Sequence, residues 1–366
     1  EDILTLRQVL ESIRYAQTTP EITGILLNGS PGAYDTLSWA SLEELRRALE
    51  EFKAGGKKIF AYTSTLDERS LYLLSVCDTL SVHPRADIIF NGIGMQMPFF
   101  KKMLDKWGIG VEVVQAGKYK SFGEAFTREN LSPEELEQSK QLIDTLWGEI
   151  KSVIAAARGI DEAALQTIAE TKGLMTSGEA VELGLVSQAQ YYDEFKFLLN
   201  IDSDEQLVDV KTALKNLTHA QADNPKELAI VYFDGTLMDD DNYRETVRTL
   251  RELREDDKIK GVLFRINSPG GAVAPSDTIA RELSLLNQKK PLVVSLGGVA
   301  ASGGYWIAAP GREIFADKLT ITGSIGVIGL FPNFTGSAKM LGVDFDKITT
   351  SPLATLGTPF APLDEK

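Results

Sequence analysis

The sequence predicts an α/β protein built from two tandem copies of one unit, each a series of βαβ elements with a mostly parallel sheet. The chain repeats itself. Gly24-Ile25-Leu26-Leu27 returns as Gly261-Val262-Leu263-Phe264, a separation of 261 − 24 = 237. Further on the offset settles at 232, pairing Lys57-Lys58 with Lys289-Lys290, Ile93-Gly94 with Ile325-Gly326 and Gly110-Val111 with Gly342-Val343. In both copies the strand-like run leads to a Ser-Pro-Gly turn and an amphipathic helix. The length of 366 residues, 43% of them hydrophobic and 25% charged, is enough to bury two cores.

In the first copy the strand at Gly24 runs into Ser30-Pro31-Gly32. The helix that follows carries Leu42, Leu45, Leu49 and Phe52 on one face. Ser41 with Glu44 reads as its capping box, and Gly55-Gly56 as its stop. Apolar residues Tyr72 to Val76 predict a buried segment, with the lone Cys77 as filler. His83 and Pro84 close a strand, and Leu131 to Leu199 form a helical tail. The polar stretch Asn216 to Lys226, which holds His219, reads as a linker. The predicted organisation is thus a first repeat over 1–200, a linker over 201–225 and a second repeat over 226–366.

The second copy opens with a strand, Glu227 to Phe233, that has no counterpart ahead of Glu1. Val262 to Phe264 is its next strand, leading to Ser268-Pro269-Gly270. Ile279, Leu283 and Leu286 mark the following helix, and Pro291 to Leu296 a buried strand. The helical tail of the first copy has no counterpart after Lys366. The expectation is a chain trimmed at both ends, with any membrane anchor outside it.

Composition excludes several function classes. The chain has 38 Lys and Arg against 52 Asp and Glu, a formal net charge of -14, the wrong sign for holding phosphates. A single cysteine and two histidines leave a zinc site without ligands, so neither metal nor cofactor is expected. No run of about 18 apolar residues is present and the first residues do not form a targeting segment, so the chain as given is expected to be soluble.

The scarcity of histidine also bears on mechanism. Gly297-Gly298-Val299-Ala300-Ala301-Ser302-Gly303-Gly304-Tyr305-Trp306 follows the buried strand and places one serine among small residues at a helix start. There a hydroxyl sits near the positive helix end with room for a substrate backbone, in the manner of a nucleophile elbow. Asn267-Ser268-Pro269-Gly270-Gly271 ends a parallel strand, where open α/β sheets bind ligands. The N–H groups of Gly271 and Gly303 are candidate oxyanion donors. The serine needs a base. A lysine, ordinarily near pKa 10.4, serves at neutral pH only if burial lowers it by roughly three units, at about 4 kcal/mol. Gly117-Lys118-Tyr119-Lys120-Ser121-Phe122 offers aromatic residues to desolvate such a lysine, and on a strand Lys118 and Lys120 would share a face, so spacing does not choose between them.

Four strings together, Asn267 to Gly271, Ala301 to Trp306, Thr322-Gly323-Ser324-Ile325-Gly326 and Gly117 to Ser121, resemble the signal peptide peptidase A (protease IV) family in its long tandem-repeat form. The resemblance implies a ClpP/crotonase fold in each repeat. It implies Ser302 as nucleophile, Lys120 as general base, Gly271 and Gly303 as the oxyanion pair, and Ser324 as a hydroxyl that holds the lysine amine. It also implies hydrophobic peptide substrates, chiefly signal-peptide remnants, a homo-oligomer, and association with a bacterial inner membrane or a thylakoid through a segment absent from this chain.

The copies divide the machinery. Ser70 stands at the Ser302 position, since 302 − 70 = 232, but between Arg69 and Leu71, and the Lys120 position of the second copy is Pro352. One active site between the halves is therefore expected. Two rival readings share the fold. A crotonase-type acyl-CoA hydratase or isomerase would need carboxylates beside the oxyanion loop and would not react with a serine-acylating reagent. A non-catalytic scaffold that binds extended peptides has no need of a Ser302–Lys120 pairing.

Overall fold

The computed structural model describes residues 4–29, 31–216, 227–351, 353–355 and 357–361; Ser30, His219 and Pro352 lie outside these. The first half holds strands β1 (Gly24–Gly29), β2 (Lys58–Leu66), β3 (Thr79–Phe90), β4 (Gly110–Ala116), β5 (Gly173–Met175) and β6 (Gln188–Ala189). The second holds β7 (Glu227–Asp234), β8 (Ile259–Ser268), β9 (Leu292–Ala301), β10 (Glu313–Phe315), β11 (Ile321–Gly323) and β12 (Val327–Asn333).

Each half forms its own sheet. The first runs β1-β2-β3-β5 with β6 also on β3, and the second runs β10-β9-β8-β7 with β11 also on β9. All pairings in these sheets are parallel except β3 with β5. This is the α/β architecture with mostly parallel sheets that the repeat predicts. Helices cover the sheets as crossover connections require. Trp39–Ala54 buries Leu42, Leu49 and Phe52 against the first sheet, and Val273–Lys289 buries Ile279, Leu283 and Leu286 against the second.

Several local readings change. The helix expected to start at Ser41 starts at Trp39, because Ser38 is the residue whose hydroxyl accepts the Ser41 N–H. Glu44 is therefore free of the cap and pairs across the molecule with Arg265. β3 continues through His83 and Pro84 to Phe90. β9 runs on through Gly297 and Gly298 to Ala301, ending directly at Ser302. Part of the stretch expected as linker is helical, with Ala213 of Val210–Asn216 buried; residues 217–225 lie outside the described part.

The halves lock together at several places. A Cβ on Gly298 would lie 2.3 Å from Ser38 Cβ, so β9 meets the helix start of the other half as bare backbone. Arg47 pairs with Asp317 at 2.8 Å and Lys318 with Glu149 at 2.7 Å. Directly after Asp317 and Lys318 in the chain, Leu319, 1% exposed, inserts into the core of the first half. Burying a leucine fully contributes roughly 1.5–3 kcal/mol. Finally β12 pairs antiparallel with β4 from Val327 opposite Ala116 to Asn333 opposite Gly110. This two-stranded ribbon carries the Gly117–Lys120 turn to the end of β11.

Candidate active site

Ser302 sits where β9 gives way to the helix Gly303–Ala308, with φ 55° and ψ −121°. A non-glycine residue at positive φ is strained, and such strain persists only where the surroundings hold it. Here the hold is the hydrogen bond from Ser302 N–H to Gly323 O at 2.9 Å. The turn aims the hydroxyl out of the sheet end. Gly303 is the first helical residue, so its N–H has no acceptor in a preceding turn.

Gly271 lies alongside. Leu237 N–H donates to Gly270 O at 2.9 Å and Ala272 N–H to Leu237 O at 2.7 Å, a bridge that leaves the N–H of Gly271 itself unengaged. A Cβ on Gly271 would lie 2.2 Å from Leu237 O, so only glycine fits. Ser268 is buried beneath, and its Oγ accepts the Gly270 N–H at 3.2 Å, which shapes the loop. This role of Ser268 is absent from the sequence reading, although a serine bonding to the N–H two residues on is a known turn device.

Lys120 reaches the serine from the other half. Its Nζ lies 2.8 Å from Ser302 Oγ, 2.9 Å from Ser324 O and 3.0 Å from Ser324 Oγ. Lys120 is 7% exposed, and burial lowers its pKa from the ordinary lysine value. The source of that burial is not the one expected. Tyr119 and Phe122 are exposed, and the backbone of the facing loop does the covering: a Cβ on Gly326 would lie 3.4 Å from Lys120 Cβ. Nor is Lys118 on a shared strand face with Lys120. The segment is a turn closed by Lys120 N–H on Gly117 O at 3.2 Å, and Lys118 is turned away toward Tyr119 Oη at 3.2 Å.

Among the described residues the first copy forms no such arrangement around Ser70. Ser70 is buried in a helix start, its Oγ 2.5 Å from Asp67 Oδ1 in a capping box, so the hydroxyl is consumed by local structure. Cys77, 4% exposed, has its thiol pushed up to about 12 by burial, the behaviour of core filler. The structure therefore brings together Ser302, Gly271, Gly303, Lys120 and Ser324.

The fold is α/β with mostly parallel sheets in two halves, and the Clp protease profile matches residues 224–316 in the second of them. The profile of peptidase family S49 matches residues 51–204 and 284–366, and the chain belongs to this family. Protease 4 of Haemophilus influenzae is 30% identical over 377 residues, covering 97% of this chain and 61% of that protein. Serine protease SPPA, chloroplastic, of Arabidopsis thaliana is 31% identical over 366 residues, covering 95% and 53%. The chain thus spans a little over half the length of these relatives. The solved structure of ClpP1 from Listeria monocytogenes overlaps 22% of this chain and 46% of its own, at 24% identity and a TM-score of 0.21.

Proposed function

We propose that this chain is the catalytic part of a serine peptidase working through a serine/lysine dyad, and the observation that carries the reading is the 2.8 Å separation of Lys120 Nζ and Ser302 Oγ. A general base must lie within about 2.6–3.2 Å of the proton it takes. A neutral lysine amine has two N–H donors and one lone pair. The two oxygens of Ser324 take the donors, which leaves the lone pair for the Ser302 hydroxyl.

The chemistry follows. Ser302 Oγ bonds to the peptide carbonyl carbon as its proton passes to Lys120 Nζ, and the carbonyl oxygen becomes an oxyanion held by the Gly271 and Gly303 N–H groups. The C–N bond then breaks as Lys120 returns the proton to the leaving amine. Water, deprotonated by Lys120, attacks the ester, and the proton ends on Ser302 Oγ. Removing one oxyanion donor of this kind costs about 100- to 1,000-fold in rate.

The first repeat, 1–200, supplies the base and the second, 226–366, the nucleophile. Hydrophobic peptides, signal-peptide remnants in particular, are the proposed substrates. In support, Val273 and Ile325, close in sequence to Gly271 and Ser324, and Met238, next to the Leu237 that bridges to Gly271, are exposed apolar side chains. Membrane association is part of the proposal; among the described residues no helix is long and apolar enough to cross a membrane. Self-assembly has support in the repeat. At the offset of 232, β4 corresponds to 342–348 and β12 to 95–101, neither in a strand, with Met95, Phe345 and Ile348 exposed. A second copy would pair them as β4 pairs β12.

The test is hydrolysis of an apolar peptide by Ser302→Ala and Lys120→Ala variants, together with trapping by a serine-acylating reagent. Both variants should be folded and inactive, and the reagent should label the parent protein on Ser302 and leave Ser302→Ala unlabelled. A Lys120→Ala protein with near-normal turnover would overturn the assignment of the base.

A further inference from the structure

The turn that carries Lys120 is exposed on one side, yet a base must keep its place to a fraction of an ångström. We propose that Glu135, assisted by Gln138, is the positioning residue that fixes Lys120. Glu135 lies in the first turn of the helix Pro133–Arg158 and is 4% exposed. None of its hydrogen-bond partners is a cation: Ser121 Oγ and Gln138 Nε2 both donate to Oε2, and Ser139 Oγ donates to Oε1 at 2.5 Å. A buried carboxylate satisfied only by neutral donors is costly to maintain, which points to a use beyond local stability.

Its local alternative is already taken. Ser132 caps this helix by accepting the Glu135 N–H at 3.0 Å. A glutamate at this position ordinarily reaches back to the capping residue's own N–H. That N–H donates instead to Glu124 Oε2 at 3.0 Å, and the Glu135 carboxylate is left to hold Ser121. Gln138, one turn on along the same face, donates to Tyr119 O at 3.1 Å and to Ser121 Oγ at 3.0 Å. The residues on both sides of Lys120 are thereby tied to one rigid helix end, while the amine itself is tied to Ser324 in the other half. The hydrogen-bond partners of the Lys120 amine are Ser302 and Ser324, and those of the Glu135 carboxylate are Ser121, Gln138 and Ser139; the carboxylate acts on Lys120 through the turn that carries it.

The inference rests on Lys120 and Ser302 being the dyad, and the experiment separates the two. Steady-state hydrolysis of an apolar peptide is measured for Glu135→Ala, Glu135→Gln, Gln138→Ala and the Ser302→Ala control, with circular dichroism to confirm folding. Glu135→Ala is expected to lower kcat by about 10- to 100-fold with KM within about twofold, the size of loss that misplacement by about 1 Å produces. Glu135→Gln keeps an oxygen for Ser121 and Gln138 and is expected to restore kcat to within about threefold of the parent. If Glu135→Ala does not fold, Gln138→Ala carries the same test, with an expected loss of about 10-fold in kcat. An unchanged kcat in folded Glu135→Ala or, where that variant fails to fold, in Gln138→Ala overturns the inference, and so does a Glu135→Gln protein as slow as Glu135→Ala. If Ser302→Ala retains activity, the dyad itself is wrong.

Discussion

Lys120 Nζ contacts both oxygens of Ser324, the main-chain O at 2.9 Å and Oγ at 3.0 Å, so one residue of the second half orients an amine of the first. Ser324 has φ 48° and is preceded by Gly323, whose O accepts the Ser302 N–H. The loop that holds the Lys120 amine and the strained turn that presents Ser302 are therefore a single hydrogen-bonded unit.

Ser324→Ala removes one of the two contacts and spares the main-chain acceptor. Hydrolysis should slow by about 2- to 10-fold, the worth of one hydrogen bond. Lys120→Ala should slow it by about 100- to 10,000-fold. Measured kcat values of similar size for the two variants would contradict this ranking.

Activity should rise with pH, because only the neutral amine accepts a proton. Burial lowers the Lys120 pKa, so the midpoint of the rise in kcat/KM should fall below the ordinary lysine value of about 10.4. Stability has a matching sign. The unfolded chain binds the lysine proton more tightly, so the penalty is full below the folded pKa and fades as pH climbs toward about 10.4. Lys120→Met should raise the Tm at low and neutral pH, with the gain shrinking in alkaline buffer. A gain that grows with pH would refute this.

Gly326 has φ 149°, and a Cβ there would lie 2.3 Å from Ala116 O in β4. Gly326→Ala should push the ribbon apart and shift Lys120, with a loss in kcat of about 100-fold for about 1 Å of displacement. The Tm should move little, since neither core is touched. Full activity in this variant would show that the close approach is not required.

Cys77 should ignore thiol reagents in the folded state. Its thiol is buried and held at about 12, so thiolate is scarce at pH 8. Labelling should appear only with denaturant. Rapid modification of native protein would mean that the first core opens locally.

Assembly through residues 95–101 and 342–348 predicts that Phe345→Asp lowers the molar mass seen by light scattering. The peptidase dyad, contained in one chain, should survive in the smaller species. An unchanged mass would exclude this interface.

Sequence by itself determined the duplicated α/β plan, because strands, turns and helix faces leave periodic marks and the repeat doubles the signal. It also singled out the small-residue serine turn and the glycine pair, since close backbone approach admits few residue types. Spacing leaves the two lysines of the turn open and only the family resemblance chooses between them; the tertiary structure shows that Lys120 is the one that meets Ser302. Lys118 and Lys120 have the same composition around them, and only the turn closed on Gly117 O sends one inward and the other to solvent. The helix Trp39–Ala54 is capped by Ser38 and not by Ser41, although a serine at either place suits a cap, and Ser38 is also where Gly298 of the other half packs. The contact of Ser324 with Lys120 is expected from the family resemblance only, and that of Glu135 with Ser121 is beyond local reading. Those contacts join residues from separate elements, and burial, the cause of the lowered lysine pKa, is a property of what packs on a residue and not of its neighbours in the chain.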